Sequence, residues 1–332
     1  MSLSENQQPL FGATPAKDRE LELVKAHLLG LDPDGSRIAV AIRRSIDMLL
    51  DGPHTGRYAW ESLLKTEKAY CGTIVEINLQ REFKFPGGTV LDYEIAGYEV
   101  DCKYSQSFGG WMIPPEAIGR LLLLIWANDQ ESRWSAGLFR ARQEWLNVGN
   151  NRDRKVTLKA EHRNQINWLF KDAPLAENAL LHMSQHDLDA IFAKRSGQQR
   201  VNELLSRATG VRLTRNVIWT VATGNDTPKD DPTRRIRGGE QGARGQLRPK
   251  GIVIFGDYEN HREAARTLCL PVPGDGEYVS IRLTRRRLHH GDAPYVRLDN
   301  EDWVVAGPND PVEMAPVLPD VKRRGRRPPH PS

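Results

Sequence analysis

Residues 90–105 read VLDYEIAGYEVDCKYS, and apolar and polar side chains alternate on both sides of Ala96-Gly97, which predicts a β-hairpin. Successive side chains of a strand point to opposite faces. One face of the hairpin is apolar and comprises Leu91, Tyr93, Ile95, Tyr98, Val100 and Cys102. The other face carries Asp92, Glu94, Glu99, Asp101 and Lys103. The stretch therefore predicts a sheet with one face in the core and one charged face.

The register of the hairpin decides whether two of its carboxylates meet. A loop of two or four residues around Ala96-Gly97 places Asp92 directly opposite Asp101, whereas a three-residue loop with a bulge shifts the pairing by one residue. Opposed like charges destabilise a sheet, so this pair indicates a raised pKa or a bound cation. Mg²⁺ suits one or two carboxylates, water and a phosphate oxygen, and Lys103 would stabilise charge on that phosphate. Spacing alone also allows a solvated amphipathic hairpin without a site.

The hairpin resembles a known nuclease signature. Asp92, a short hairpin and then Asp101-Cys102-Lys103 look like the PD-(D/E)xK motif, with Leu91 in place of its proline. The surrounding sequence, in residues 66–68, 75–77 and 92–106, is similar to the NaeI family of type II (type IIE) restriction endonucleases. The resemblance spans most of the chain, and its specific motifs lie between Thr66 and Gln106.

This resemblance implies an activity, a site and a cofactor. The implied catalytic residues are Glu76, Asp92, Asp101 and Lys103, and the implied metal ligands are Asp92, Asp101 and the backbone carbonyl of Cys102, with Mg²⁺ as the cofactor. The implied activity is hydrolysis of phosphodiester bonds in double-stranded DNA at a GC-rich palindrome. The implied assembly is a homodimer that binds a second DNA copy as an allosteric activator, so that one dimer engages two sites.

Composition agrees with a globular protein that binds an anionic partner. The chain has 332 residues, 39% hydrophobic and 27% charged, with a net charge of +4. Arginine is concentrated in the second half, which indicates nucleic acid, although a solvated basic face is the alternative. The three cysteines lack the spacing of a zinc site or a disulfide framework. No signal peptide is visible and the longest apolar run, 121–127, is too short to span a bilayer, so we expect a cytoplasmic protein with no membrane segment.

The first part of the chain is predicted to form an α/β (α+β) endonuclease domain over residues 1–150, with a PD-(D/E)xK core and a mixed sheet. Apolar periodicity and capping residues predict helices at 16–31, 36–52 and 66–85, and apolar runs predict strands at 121–127 and 133–141 after the hairpin. The polar stretch that follows predicts a linker at 151–159.

The second part, 160–320, is predicted to be a mainly helical DNA-binding domain. Helices are expected at 160–170, 187–195, 198–208 and 214–221, an exposed Gly- and Arg-rich loop at 224–251, and strands at 252–255, 278–283 and 295–298. The basic tail, 321–332, is expected to be disordered.

Two of these helices, with the turn 209–211 between them, have the pattern of a helix-turn-helix, whose second helix enters the major groove. The candidate DNA-binding residues are Arg212, Arg215, Asn216, Arg234, Arg235 and Arg237. The family resemblance implies a topoisomerase-like effector domain with a winged or CAP-like helix-turn-helix. A helix pair packed only for the core is the alternative.

A second near-match lies at Leu49-Leu50-Asp51-Gly52, which resembles the K-x-D-G motif of DNA ligases with leucine in place of the nucleophilic lysine. Without that amine no nucleotidyl transfer can run through this position, and Leu49 also fits the apolar stripe of its helix. Two other functions remain open from the sequence: a repair or junction nuclease with the same core, and a non-catalytic helix-turn-helix regulator.

Overall fold

The computed structural model describes residues 18–148, 153–224 and 233–318 and forms two compact units. Within these residues, the first unit takes its members from Met1–Ile42, Gly72–Asn128 and Arg133–Leu175, and the second from Arg43–Cys71, Asp129–Ser132 and Ala176–Ser332. The basic tail predicted at 321–332 lies outside the described residues. Each unit is therefore discontinuous in sequence, which differs from the predicted division at residues 150–160.

The elements are numbered in chain order. The helices are α1 (Arg19–Leu31), α2 (Ser36–Leu50), α3 (Gly52–Thr55), α4 (Lys65–Phe83), α5 (Gln185–Phe192), α6 (Gly197–Arg207), α7 (Arg215–Thr223), α8 (Thr233–Arg237), α9 (Ala243–Leu247) and α10 (Glu259–Thr267). The strands are β1 (Tyr93–Ile95), β2 (Tyr98–Ser105), β3 (Leu121–Asn128), β4 (Arg133–Arg140), β5 (Asn167–Pro174), β6 (Arg212–Thr214), β7 (Ile252–Phe255), β8 (Glu277–Arg285), β9 (Tyr295–Leu298) and β10 (Glu301–Val305). The prediction of a mixed α/β protein is confirmed.

A mixed sheet forms the centre of the first unit. Its strand order is β1-β2-β3-β4-β5, with β2 and β3 parallel and the other neighbours antiparallel. Strand β3 is buried along almost its whole length, because both faces of the sheet are covered there. Strand β2 pairs with β1 through residues 98–100 and with β3 through residues 100–105, so the pairing with β3 fixes the backbone of residues 101–103.

Two segments of the first unit differ from the sequence prediction. Residues 160–170 were predicted to be a helix, but they form a 3-10 helix, Ala160–Gln165, and the start of β5. The apolar residues Ile166, Leu169 and Phe170 fit a helical period, but pairing with the free edge of β4 overrides it. The predicted linker is also part of the unit, because Val156 exchanges two backbone hydrogen bonds with Ile113.

The second unit combines helices with an antiparallel sheet. Its strand order is β6-β8-β10-β9, and β7 also pairs with β8. The short strand β6 lies between α6 and α7, directly after the turn predicted at 209–211. Thr214 caps α7 by accepting a hydrogen bond from the Val217 amide.

In the segment predicted as an exposed loop, 224–251, the described part is packed against the rest of the second unit. Residues 225–232 lie outside the described part, but α8 and α9 follow. Ile236, Ala243 and Leu247 are buried in the core of the second unit. These apolar residues are isolated from one another in a stretch rich in glycine and arginine, so they form no periodic pattern that would predict a helix. Within the described ranges, no helix has the length and apolar character needed to cross a membrane.

A buried ion cluster stabilises the second unit around Arg43. Its guanidinium donates to both carboxylate oxygens of Asp129 and also pairs with Asp47, with Nη2 2.8 Å from Asp47 Oδ1. A side-chain hydrogen bond links Asn216 to the same Asp47 carboxylate. Burial raises the pKa of Asp47, and the Arg43 charge opposes that shift. Both acids therefore have partners inside the protein.

The ligase-like near-match has a packing role in the second unit. Leu49 is buried, and Asp51 has a left-handed backbone with φ of 48°. A Cβ atom on Gly52 would lie 2.1 Å from the Thr220 hydroxyl oxygen, so only glycine fits there. These contacts agree with the structural interpretation of the motif.

Candidate active site

The turn of the hairpin has the predicted two-residue geometry. Ala96 and Gly97 both have positive φ, 53° and 80°, which is typical of a type I′ turn. Ile95 pairs with Tyr98 and Glu94 with Glu99, so the predicted register is confirmed. The first strand is shorter than predicted, since it begins at Tyr93.

Glu99 explains why the first strand is short. Its carboxylate accepts hydrogen bonds from the amides of Thr89 and Val90, which folds residues 89–92 into a bend before β1. The Val90 amide in particular holds the pKa of Glu99 below its usual value. Asp92 thus lies just outside the strand, and Glu99 is a structural residue.

Asp92, Asp101 and Lys103 lie together beside β2. An Asp92 carboxylate oxygen accepts a hydrogen bond of 2.7 Å from the Cys102 amide. The Lys103 ammonium is 2.7 Å from Asp101 Oδ2 and 3.7 Å from Asp92 Oδ2, and it donates to the Cys102 carbonyl at 2.9 Å. The bend before β1 and the strand β2 therefore bring the two predicted carboxylates to one lysine.

Glu76 reaches the same place from α4. The Tyr93 hydroxyl donates a 2.7 Å hydrogen bond to the Glu76 carbonyl, which fixes this turn of the helix against β1. Burial raises the pKa of the Glu76 carboxyl, and Asp92 raises it further. The sequence assigned Tyr93 only to the apolar face. Its hydroxyl could have suggested a polar partner, because buried tyrosine hydroxyls usually have one.

Burial and neighbouring charges shift the pKa values of the residues in this cluster. Burial raises the pKa of Asp101 to about 6, although Lys103 opposes the shift. Burial alone would lower the pKa of Lys103, but Asp101 and Asp92 raise it above its usual value. Burial also raises the pKa of the Cys102 thiol to about 12, so that sulfur is not a thiolate ligand at neutral pH.

The residues fit a hard divalent cation in charge and donor type. Three carboxylates, those of Glu76, Asp92 and Asp101, lie near one ammonium, so the cluster carries an excess of negative charge. Carboxylate and carbonyl oxygens are the ligands that Mg²⁺ prefers. The carboxylate oxygens of Glu76, Asp92 and Asp101 do not all lie within 4.8 Å of one another. Among the described residues, the potential ligand atoms that do lie this close belong to His289, His290 and Asp310. Lys103, which pairs with both aspartates, accounts for part of that spacing.

Comparison with known proteins gives the family. The family described as Restriction endonuclease NaeI matches residues 22–314. A type II restriction enzyme named NaeI, from Lentzea aerocolonigenes, is 46% identical over 319 residues, which cover 94% of this chain and 97% of that enzyme. The chain belongs to the NaeI restriction endonuclease family. The resemblance inferred from the hairpin and its surroundings is thereby confirmed.

The candidate DNA-binding residues on β6 and at the start of α7 differ in exposure. Arg212 on β6 has a side chain 54% exposed, and Arg215, the first residue of α7, is also exposed. The Arg215 guanidinium lies 5.6 Å from the centre of the Trp219 ring. Asn216, in contrast, is partly buried and bonded to Asp47. Two exposed arginines, one on β6 and one at the N-terminus of α7, are therefore accessible to DNA, whereas Asn216 is engaged by Asp47.

The remaining candidates lie on α8. Arg234 is exposed, and Arg235 is half-buried with its carbonyl accepting from Gln198. Arg237 donates to the Tyr278 hydroxyl at 3.1 Å and lies 3.7 Å from Asp257. Arg234 and Arg237 are both exposed, and Arg235 and Arg237 also have the structural contacts just described.

Proposed function

We propose that this protein is a type II restriction endonuclease that hydrolyses phosphodiester bonds in double-stranded DNA. The proposed catalytic residues are Glu76, Asp92, Asp101 and Lys103. The observation that carries the proposal is the Lys103 ammonium 2.7 Å from Asp101 and 3.7 Å from Asp92, on a strand that pairs with β3 through residues 101–103. The family membership supports the same reaction.

Each side chain has a role that follows from its surroundings. Asp92 and Asp101, with the Cys102 carbonyl, would hold Mg²⁺, which supplies charge stabilisation and a more acidic water when bound. Lys103 is charged and partly buried, so it can stabilise negative charge on the attacked phosphate or orient the attacking water. Glu76, whose pKa is raised, can accept or share a proton at the edge of the cluster.

The proposal extends to the second unit. The helices α6 and α7, with Arg212, Arg215 and Arg234 exposed, support a DNA-binding role of the helix-turn-helix type, in which Arg235, Arg237 and Asn216 stabilise the reading elements or contact DNA. We further propose a homodimer, a GC-rich palindromic site and activation by a second bound copy of that site. The coupling between two DNA sites would be about 1–3 kcal/mol and reciprocal.

The decisive experiment is a digest of a mapped plasmid. The wild type with Mg²⁺ should give discrete fragments, whereas Asp92→Asn and Lys103→Met should give none while still binding DNA. Glu94→Gln is the matched control, because Glu94 is an exposed acid on the same hairpin and should cleave like the wild type. Wild-type levels of cleavage by either site variant would overturn the site assignment.

The same digest distinguishes the alternatives. Cleavage confined to branched or mismatched DNA would favour a repair or junction nuclease, and binding without any nicking would favour a non-catalytic regulator. A plasmid with one site tests activation, since cleavage should accelerate when a short duplex with the same site is added. Equal rates with and without that duplex, below saturating DNA, would remove the activator role.

A further inference from the structure

The second unit contains a cavity of about 450 Å³ between α9, β7 and residues 316–318. This volume lies within the range of ordinary small-ligand sites, about 300–1,000 Å³. The cavity is distinct from the carboxylate cluster, which belongs to the first unit. The residues that line the cavity are of two kinds, arginines and apolar side chains.

The charged side is formed by Arg237, Arg244 and Arg248. Arg244 is the informative residue. Its Nε donates to the Ile254 carbonyl at 3.1 Å and its Nη2 lies 3.4 Å from Nδ1 of His261, which also lines the cavity, but it forms no ion pair with a carboxylate within 18–148, 153–224 or 233–318. Burial lowers the pKa of Arg244, and the nearby Arg237 charge acts in the same direction. A guanidinium kept out of water without a carboxylate is costly, so an anion in the cavity would relieve that cost.

Arg248 adds a second cation without a carboxylate partner among the described residues. Its Nε donates to the Ala315 carbonyl at 3.1 Å, which holds the end of residues 311–318 against this side of the cavity. The acid on the cavity lining is Glu240, which is exposed on the rim. The lining therefore carries an excess of positive charge.

The apolar residues of the lining include Ile252 and Ile254 from β7, which are buried, and Val317, which is 53% exposed. Val317 therefore offers an accessible apolar surface to a ligand. A suitable ligand joins an anionic group to a flat apolar group.

We propose that this cavity binds a nucleoside 5′-monophosphate group, either as a free mononucleotide or as the phosphorylated end of a DNA strand. The phosphate lies at Arg244 and Arg248, because planar guanidinium groups match phosphate oxygens in pairs. The base lies against Val317 and Ile252, where apolar contact replaces water. The proposal is independent of the nuclease activity, since it uses residues outside the carboxylate cluster.

The first test is calorimetric titration of the full chain, in EDTA, with deoxyguanosine 5′-monophosphate, deoxyguanosine and inorganic phosphate. We expect the nucleotide to bind at least tenfold more tightly than either of its parts. Arg248→Gln and Arg244→Gln should each weaken its binding about 10- to 100-fold, the range for a lost hydrogen bond to a charged group. No binding of the nucleotide at millimolar concentration, or equal binding of inorganic phosphate, would overturn the proposal.

Two further variants separate the cavity from general charge and from misfolding. Val317→Trp fills the opening, removes no charge and changes an exposed residue, so it should weaken nucleotide binding without changing the thermal transition. Arg266→Gln removes an exposed arginine of α10 and should bind the nucleotide like the wild type. If Val317→Trp binds normally, or Arg266→Gln loses as much affinity as Arg248→Gln, the site assignment is wrong.

Competition distinguishes the two sources of the nucleotide. A short duplex with a 5′-phosphorylated overhang should displace deoxyguanosine 5′-monophosphate if DNA ends are the ligand, and the same duplex with 5′-hydroxyl ends should not. If both duplexes leave the bound nucleotide in place, the free mononucleotide is the ligand.

Discussion

The protein contains two clusters in which acidic side chains surround one basic residue, Arg43 in one and Lys103 in the other. The two clusters differ in how fully the positive charge and hydrogen bonds match the carboxylates. Around Arg43, one guanidinium bonds to both oxygens of Asp129 and to Asp47, which Asn216 also reaches. Around Lys103, one ammonium pairs with two aspartates, and Glu76 adds a third carboxylate nearby, so an excess of negative charge remains. A closed cluster stabilises a fold, whereas an incomplete one has capacity left for a ligand.

The largest expected difference comes from making the same substitution in both clusters. Asp101→Asn should lower the rate of DNA cleavage about 10³-fold or more, because it removes a charged ligand from a site that stabilises negative charge. Single-turnover cleavage at saturating DNA measures this effect. The circular dichroism spectrum should match the wild type. A rate within tenfold of the wild type would place Asp101 with the structural acids.

The partner substitution, Asp129→Asn, should leave cleavage per folded molecule unchanged and lower the free energy of unfolding by about 3–5 kcal/mol. The reason is that Asp129 is 4% exposed and its loss leaves Arg43 with an incomplete set of acceptors. Urea unfolding followed by tryptophan fluorescence gives the number. An unchanged midpoint would mean that the Arg43 cluster is not a stabilising one.

The raised pKa of Asp101 in the Lys103 cluster should make the free energy of unfolding depend on pH. Because burial raises the pKa of Asp101 from 3.8 to about 6, the folded protein binds more protons than the unfolded chain between these values. The resulting stability is complete below pH 3.8 and is lost as the pH rises through about 6, by about 3 kcal/mol.

Urea unfolding in EDTA at pH 4–7.5 tests this sign. The wild type should lose stability across that window relative to Asp101→Asn, which lacks the titrating group. Parallel curves for the two proteins would show that Asp101 titrates normally. Excess Ca²⁺ should reduce the difference at neutral pH, since a cation favours the ionised carboxylate.

The smallest effects distinguish two neighbours at the start of α7. Arg215→Ala should weaken duplex binding about tenfold and reduce the salt dependence by about one counterion, with an unchanged thermal transition. Asn216→Ala should instead lower the free energy of unfolding by about 1–2 kcal/mol, because Asp47 loses a hydrogen bond. Its effect on DNA affinity should be the smaller of the two. The reverse pattern would assign base reading to Asn216.

The sequence was informative where a local pattern matched the tertiary environment. The strands at Ile252–Phe255 and Tyr295–Leu298 were predicted to the residue, and the hairpin register followed from Ala96-Gly97 because turn length fixes pairing. The juxtaposition of Asp92, Asp101 and Lys103 followed from that register. The family resemblance then supplied Glu76, which no spacing argument would have selected.

Other features depend on contacts that a local pattern does not contain. Strand β5 forms because β4 offers an edge, although its apolar residues fit a helix. Strand β10 and helix α10 were not predicted; α10, ENHREAART, is mostly polar and buries only His261, Ala264 and Ala265. The bond between Asn216 and Asp47 joins residues far apart in sequence, so its partner could not be guessed from the motif.

The discontinuity of the second unit has a consequence for how the chain folds during synthesis. Residues 43–71 leave the ribosome early, but the Pro53 carbonyl accepts its hydrogen bond from Thr223, and Tyr58 stacks on Phe192 with ring centres 6.0 Å apart. These long-range closures cannot form until most of the protein has been made, so this unit should fold late and slowly. A fragment that begins at residue 176 should stay unfolded until a peptide of residues 43–71 is added. A fragment that folds alone would show that these early residues are dispensable.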